Sequence, residues 1–135
     1  MNLTVLYQIY EFTSAHRLNS EKLSSGENWD VYEKCNNLNG HGHDYTLEVG
    51  IKGQIDPESG MIIDLTVMND KVNYLLQQLD YKHLNKEVPY FKAIISTGEN
   101  IIQFIWDELN KSFNNQQLYY LKLWETNNNY FELKR

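Results

Sequence analysis

A regular alternation of apolar and polar residues over positions 43–55 constrains the fold more than any other feature of the sequence. Tyr45, Leu47, Val49 and Ile51 occupy every second position and are separated mostly by polar residues. Successive side chains of an extended strand point to opposite faces, so the pattern predicts a strand with one buried face. The pattern therefore indicates a sheet, and its other strands have to come from elsewhere in the chain.

Four further segments have strand character. Residues 3–12 are rich in β-branched and aromatic side chains without Gly or Pro, which favours a strand that can pair beside the one at 43–55. A turn containing Pro and Gly follows the 43–55 strand, so residues 61–63 can return as a short strand. Residues 117–125 and 130–134 lie on either side of four polar residues, and we predict that they form a closing hairpin.

Two segments have helical periodicity. Over residues 66–79 the apolar side chains recur at helical spacing, and Asp64 or Thr66 is available as the N-cap. A second helix is predicted to open at Ser96, with Ser96 and Glu99 forming a capping box ahead of an apolar stripe. Five strands and two helices predict an α+β fold.

The polar stretch from residue 19 to residue 39 has no sustained period, and we predict a long loop there. Long loops inside compact domains are usually functional. The length of 135 residues and the hydrophobic fraction of 41% suit one core, so we expect a single domain over residues 1–135.

Charge and hydropathy exclude several classes of function. The formal net charge is −6 and the basic residues are scattered, which argues against a nucleic-acid partner. No apolar run approaches the roughly 18 residues that span a bilayer, and the first residues lack the pattern of a secretory signal, so we expect a cytoplasmic protein without membrane association. The single cysteine, Cys35, excludes an internal disulfide framework.

Three of the four histidines are candidate metal ligands. His41 and His43 are two residues apart, which on an extended backbone places both imidazoles on one face about 7 Å apart along the chain. His16 lies just beyond the first predicted strand and can supply a third ligand. Three histidines and one open position are the arrangement of a catalytic zinc. The alternative is that these are ordinary surface or hydrogen-bonded histidines.

Four other residues carry groups suited to catalysis or binding. Cys35 lies close before the histidine pair, where a nearby cation would favour its thiolate, although an inert buried thiol is the alternative. Asp80 and His83 can form a carboxylate–imidazole pair or be ordinary surface residues. Glu125 shares strand parity with apolar residues, and a carboxylate on an apolar face could accept two hydrogen bonds from a pterin or guanine ring.

Six blocks of the sequence together resemble the 6-pyruvoyl-tetrahydropterin synthase family, in its order and spacing and from end to end. They are FTSAHRL at 12–18, CNNLNGHGHDY at 35–45, GMIIDL at 60–65, LDYKHLN at 79–85, STGEN at 96–100 and WET at 124–126. The resemblance implies the tunnelling fold, in which an antiparallel sheet backed by two helices forms a barrel on trimerisation and two trimers stack. It also implies active sites between the subunits of a homo-oligomer.

The resemblance assigns roles to individual residues. It implies zinc ligands at His16, His41 and His43, a catalytic base at Cys35, and pterin contacts at Glu125, Thr97 and Glu99. The family usually has Asp-His where this chain has Asp80 and Tyr81, so a phenol stands in place of the relay imidazole. His83 follows two residues later and is not the matching position.

The implied reaction converts 7,8-dihydroneopterin triphosphate to 6-pyruvoyl-tetrahydropterin with loss of triphosphate and no external redox cofactor. Five residues separate Cys35 from His41, as in the 6-pyruvoyl enzymes. The 6-carboxytetrahydropterin synthases of queuosine biosynthesis typically have three, and that chemistry is the alternative enzyme activity. A zinc-containing pterin-binding protein with little turnover is the alternative from another class, because of Tyr81.

Overall fold

A five-stranded sheet forms the centre of the molecule. In a computed structural model, which describes residues 2–114 and 117–135, the strands lie side by side in the order β3-β1-β2-β4-β5. Their bounds are β1 Thr4–His16, β2 His41–Gly53, β3 Lys82–His83, β4 Leu118–Thr126 and β5 Asn129–Lys134. The long strands pair antiparallel, as predicted, and the alternation over β2 sets which of its side chains face the core.

β1 and β2 pair in an unbroken register from Thr4 opposite Gly53 to His16 opposite His41. The predicted inward face of β2 is confirmed, because Tyr45, Leu47, Val49 and Ile51 are at most 1% exposed. The sheet's opposite face is open to solvent in this chain, and large side chains such as Ile9 are exposed there.

The helices are α1 Ser25–Tyr32, α2 Leu65–Leu76, α3 Leu84–Glu87, α4 Tyr90–Ala93 and α5 Gly98–Ser112. The two longest, α2 and α5, cover the inward face of the sheet. The apolar stripes of α2 and α5 join the inward residues of the strands in one core. Within the described residues, no helix combines the length and the apolar character that crossing a membrane requires.

The start of α2 was predicted correctly, and the start of α5 was not. Asp64 caps α2 by accepting a hydrogen bond from the Thr66 amide at 2.8 Å. The cap of α5 is Thr97, whose hydroxyl accepts from the Asn100 amide. Ser96 cannot serve, because it is fully buried and its hydroxyl donates to Asn85 Oδ1 at 3.2 Å.

The predicted loop over residues 19–39 contains helical structure. α1 occurs there, followed by a 3₁₀ helix over Glu33–Asn36. Ser24 and Glu27 form a capping box at the start of α1, and the buried Asn28 amide donates to three carbonyl oxygens of the preceding turn. The capping box and the Asn28 hydrogen bonds stabilise this helix. It has no apolar stripe, and the sequence pattern therefore did not predict it.

The prediction of a strand over residues 61–63 was wrong. The Asp56 amide donates to the Met61 carbonyl at 3.0 Å, and the Gly60 amide donates to the Asp56 carbonyl at 2.7 Å. The turn therefore closes on itself and leads directly into α2. The fifth strand is instead β3, which runs parallel to β1 beside Ser14 and Ala15.

Candidate metal centre and its surroundings

The three predicted metal ligands converge at one end of the sheet. His16 ends β1, His41 begins β2 directly opposite it, and His43 follows on the same face. One ligand atom from each lies within 4.8 Å of the others, and the His16 and His41 ring centroids are 4.6 Å apart. Within residues 2–114 and 117–135 this is the one group of three or more metal-ligating side chains so arranged.

The environment of His16 suits a metal ligand. The ring is 1% exposed, and its Nδ1 lies 2.6 Å from the Ser96 carbonyl oxygen. A carbonyl only accepts, so Nδ1 carries the hydrogen and Nε2 keeps a free lone pair. Burial lowers the pKa of His16 to about 4, and the charges of His41 and His43 act in the same direction. His16 is therefore neutral near pH 7.

Within the described residues, several ring nitrogens of the three-histidine group have no hydrogen-bond partner. His16 Nε2 and both ring nitrogens of His41 are buried and have no hydrogen-bond partner in the described part of the chain. Buried polar atoms without partners are costly, and a cation shared by the three rings would satisfy them. Imidazole ligands suit zinc, copper, iron or nickel, and three of them leave a position open for a ligand. The residues present therefore fit a metal ion.

Glu125 lies on the strand next to the histidine pair. The β2–β4 register places Leu123 opposite Leu47, so Glu125 follows on the same inward face, near Tyr45. In the pairing of β4 with β5, a register irregularity occurs between Trp124 and Thr126, at the position of Glu125. Glu125 is half-buried and accepts a hydrogen bond from the Asn129 side chain at 3.3 Å. The carboxylate is thus held in place while part of it stays accessible to a ligand.

Cys35 lies in the 3₁₀ helix and belongs to the same group. Its carbonyl accepts from the Leu18 amide at 2.8 Å, which ties this segment to the chain just after His16. Burial raises the pKa of the Cys35 thiol, and the charges of Glu125 and Glu33 raise it further. Protein groups alone therefore favour the thiol, and a cation bound at the histidines would act in the opposite direction.

Tyr45 is a residue that the sequence analysis treated only as part of the core. Its ring stacks on Phe12 at 4.8 Å and meets the His43 ring edge-on at 5.6 Å. Its hydroxyl is buried and has no hydrogen-bond partner among the described residues. Burial raises the pKa of Tyr45 above its usual range, and the Glu125 charge adds to this. The phenol can donate a hydrogen bond to a bound ligand. The sequence could have indicated this, because Tyr45 lies two residues after His43 and therefore on the same face of β2.

Hydrogen bonds to β1 hold Asp80 and Tyr81 in place. The Asp80 carboxylate accepts from the Thr13 amide at 2.8 Å, and the Tyr81 amide donates to the Thr13 carbonyl at 2.6 Å. Tyr81 has a φ of 58° and is 84% exposed. The predicted hydrogen-bonded pair of Asp80 and His83 is not formed within the chain, because the His83 ring nitrogens have no hydrogen-bond partner among the described residues.

His83 lies on the β3 side of the histidines, whereas Glu125 is on the β4 side. The His83 ring packs against Gly40, where an added Cβ would come within 2.9 Å of its Nε2 and 2.8 Å of the His16 carbonyl oxygen. Gly40 also has a φ of 78°, so glycine is required there by space and by conformation. Thr97 and Glu99 flank Gly98, which packs against Phe131 of β5. Thr97 caps α5, and Glu99 is exposed in its first turn.

Comparisons with known proteins agree on one family. A family model described as 6-pyruvoyl tetrahydropterin synthase matches residues 5–135. A putative 6-pyruvoyl tetrahydrobiopterin synthase of Caenorhabditis elegans is 38% identical over 135 residues, which are 99% of this chain and 96% of the relative. The Homo sapiens 6-pyruvoyl tetrahydrobiopterin synthase is 44% identical over 119 residues, 87% of this chain and 82% of the relative. A solved structure of the Caenorhabditis elegans 6-pyruvoyl tetrahydropterin synthase superposes with a TM-score of 0.95, covering 100% of this chain and 97% of that one.

Proposed function

The chain belongs to the 6-pyruvoyl tetrahydropterin synthase family, and we propose that it is a zinc-dependent lyase that acts on 7,8-dihydroneopterin triphosphate. The proposed product is 6-pyruvoyl-tetrahydropterin, formed with loss of triphosphate. One observation carries the proposal: three convergent histidines, of which His16 and His41 have unpartnered buried nitrogens, lie next to a half-buried carboxylate on the neighbouring strand. The first can hold a metal, and the second can hold a pterin ring.

Each group of the site has a distinct task in this proposal. The Glu125 carboxylate accepts two hydrogen bonds from the ring N–H and the exocyclic amine of the pterin, which orients the substrate. Zinc held by the histidines would polarise the side-chain oxygens and make the adjacent C–H more acidic. Cys35 then accepts that proton, and the Tyr45 hydroxyl donates a hydrogen bond to the bound substrate. Thr97 and Glu99, at the start of α5, would supply further contacts to the pterin.

No external redox cofactor is needed. Oxidation of one side-chain alcohol to a carbonyl balances reduction of the dihydropterin ring to a tetrahydropterin. The second carbonyl forms without net oxidation, because loss of triphosphate leaves an enol that becomes a ketone next to a new methyl group. The protein has to move protons and to keep the substrate in place. The shared face of β1, β2 and β4 serves the second purpose, because their pairing fixes the ligands relative to Glu125.

We also propose that the active form is a homo-oligomer, a trimer or a hexamer of two trimers. In the described residues, the outer edge of β1 is paired only at Ser14 and Ala15, and β5 pairs on one side only. Open edges of this kind favour strand pairing between chains. Assembly could also bring Asp80 of one chain to another chain's Cys35. Light scattering measures the mass directly, and a monomer at micromolar concentration would contradict the proposal.

Tyr81 favours a second candidate, a pterin-binding protein with zinc but little turnover. A phenol is a poor base near neutral pH, and the Tyr81 side chain is 84% exposed. We propose a single domain in the cytoplasm for either candidate.

One assay separates these functions. Purified protein is incubated with zinc and 7,8-dihydroneopterin triphosphate, and the products are identified by mass. Formation of 6-pyruvoyl-tetrahydropterin supports the proposal. Formation of 6-carboxytetrahydropterin with acetaldehyde would assign the chain to the queuosine branch, and tight pterin binding without a product would assign it to the binding proteins.

A further inference from the structure

A cavity of about 780 Å³ lies beside the candidate metal centre and has no role in the function proposed so far. Its wall includes Arg17, which directly follows His16, and Asn39, which lies two residues before His41. His83 of β3 also lines it. The cavity is therefore on the β3 side of the histidines, whereas Glu125 of β4 is on their other side.

The charge of this cavity differs from that of the whole chain. Four cationic side chains line it, Arg17, Lys22, Lys86 and Lys92, against one acidic side chain, Glu21. The whole chain has 12 basic and 18 acidic residues. Within the described residues none of the four cations is in a salt bridge. A concave surface lined by uncommitted cations concentrates anions.

Two half-buried side chains connect the cavity to the metal centre. The Arg17 Nε donates to the Asn36 carbonyl at 3.0 Å, which orients the guanidinium and leaves its other N–H groups available. Both ring nitrogens of His83 are buried and have no hydrogen-bond partner among the described residues. The neighbouring Glu87 carboxylate is already engaged by the His83 backbone amide at 2.6 Å. This end of the cavity therefore offers both hydrogen-bond donors and positive charge to a ligand.

The order of groups across the sheet matches the order of groups along the proposed substrate. From β4 to β3 the sheet presents Glu125, then His41 and His43, then His16, and finally His83 at the cavity. Three strand spacings of about 4.8 Å place the two ends roughly 14 Å apart. A dihydroneopterin triphosphate has a ring at one end, oxygen-bearing carbons in the middle and the triphosphate at the other end.

We propose that this cavity binds the triphosphate of the substrate, through the cations Arg17, Lys86 and Lys92 and a hydrogen bond from His83. The proposal rests on the function proposed above. During elimination the bond from carbon to the phosphate oxygen breaks, and its electron pair remains on that oxygen. The proton from the adjacent carbon passes to the base. Negative charge thus grows inside the cavity, where the cations stabilise it.

The test measures the binding of inorganic triphosphate by calorimetry, in metal-free protein so that chelation of zinc does not contribute. We expect K86A/K92A to weaken binding on the order of tenfold or more at constant ionic strength. The control, K52A/K134A, also removes two positive charges, but from lysines on either side of the Tyr119 ring. It should bind triphosphate within about twofold of the wild type, the small change expected from distant, screened charges.

Binding of dihydroneopterin without phosphates gives the second readout. Its affinity for zinc-loaded protein should be the same in wild type and K86A/K92A, because the ring and the oxygen-bearing carbons do not reach the lysines. Equal triphosphate affinity in wild type and K86A/K92A, or equal losses in both double variants, would overturn the cavity assignment. Failure of the proposed reaction would appear separately, as absence of turnover in a wild type that still binds triphosphate.

Discussion

Replacing Gly98 by Ala should destabilise the protein, because the ring of Phe131 occupies the space of the new methyl group. A Cβ at Gly98 would lie 2.0 Å from Phe131 Cε2 and 2.4 Å from its Cζ, whereas carbon atoms in contact prefer 3.5–4.0 Å. The ring or the start of α5 must therefore move by more than 1 Å. Such overpacking costs about 1–3 kcal/mol, offset by roughly 0.5–1 kcal/mol because Ala favours the helix over Gly.

The free energy of unfolding should fall by about 1–2 kcal/mol in G98A, since the clash exceeds the gain in helix propensity. Urea titration at a fixed protein concentration measures this, because assembly makes stability depend on concentration. With an m-value of about 2 kcal/mol/M, the midpoint should shift down by roughly 0.5–1 M.

G26A is the matched control for this prediction. Gly26 lies in α1, where an added Cβ would meet nothing within 4 Å, so the change should be neutral or slightly stabilising. In a double-mutant cycle, F131L should reduce the cost of G98A by making room for the methyl group. Equal midpoints for G98A and G26A, or strictly additive effects of G98A and F131L, would refute the reasoning.

Four further predictions concern the site. His43→Ala should release about one zinc per chain while circular dichroism shows an intact fold, and undiminished zinc by elemental analysis would contradict the three-histidine site. Glu125→Gln should weaken pterin affinity on the order of tenfold in a binding titration without changing zinc content, and equal affinity would make Glu125 structural. Cys35→Ala should abolish turnover of the triphosphate while zinc and pterin still bind, so full activity would exclude the thiol as the base. In metal-free protein, stability should fall as the pH is lowered from 6.5 to 4. In this range the unfolded chain protonates His16, whereas the folded chain, in which the pKa of His16 is about 4, does not. The slope is at most about 1.4 kcal/mol per pH unit for this residue, and urea titrations of wild type and His16→Gln should differ in it.

Local patterns in the sequence predicted the parts of the fold that depend on local periodicity. The alternation from Tyr45 to Ile51 determined the inward face of β2, and the same parity placed His41 and His43 on that face. The wrong predictions were at positions where long-range contacts decide. Ser96 has the residue type of an N-cap, but the fold buries it against Asn85. β3 exists only because β1 provides an edge for it.

The site was predictable to the extent that it follows from strand pairing. His16 beside His41, and Glu125 near Tyr45, both follow from antiparallel neighbours and parity. The surroundings of Asp80 were not predictable, because its partner is a backbone amide of β1, 67 residues away in the chain. The cationic cavity was also missed, since its four cations come from three separate segments and look scattered in the sequence.

The unbroken β1–β2 register determines where evolution can change the length of this chain. A one-residue insertion within Thr4–His16 or His41–Gly53 would turn every later side chain of that strand to the opposite face, separating ligands from one another or apolar residues from the core. The segments that connect the paired strands to the rest of the fold carry no such constraint. We therefore expect insertions and deletions among natural homologues to fall in residues 19–34 and 54–63, and to avoid the two paired strands.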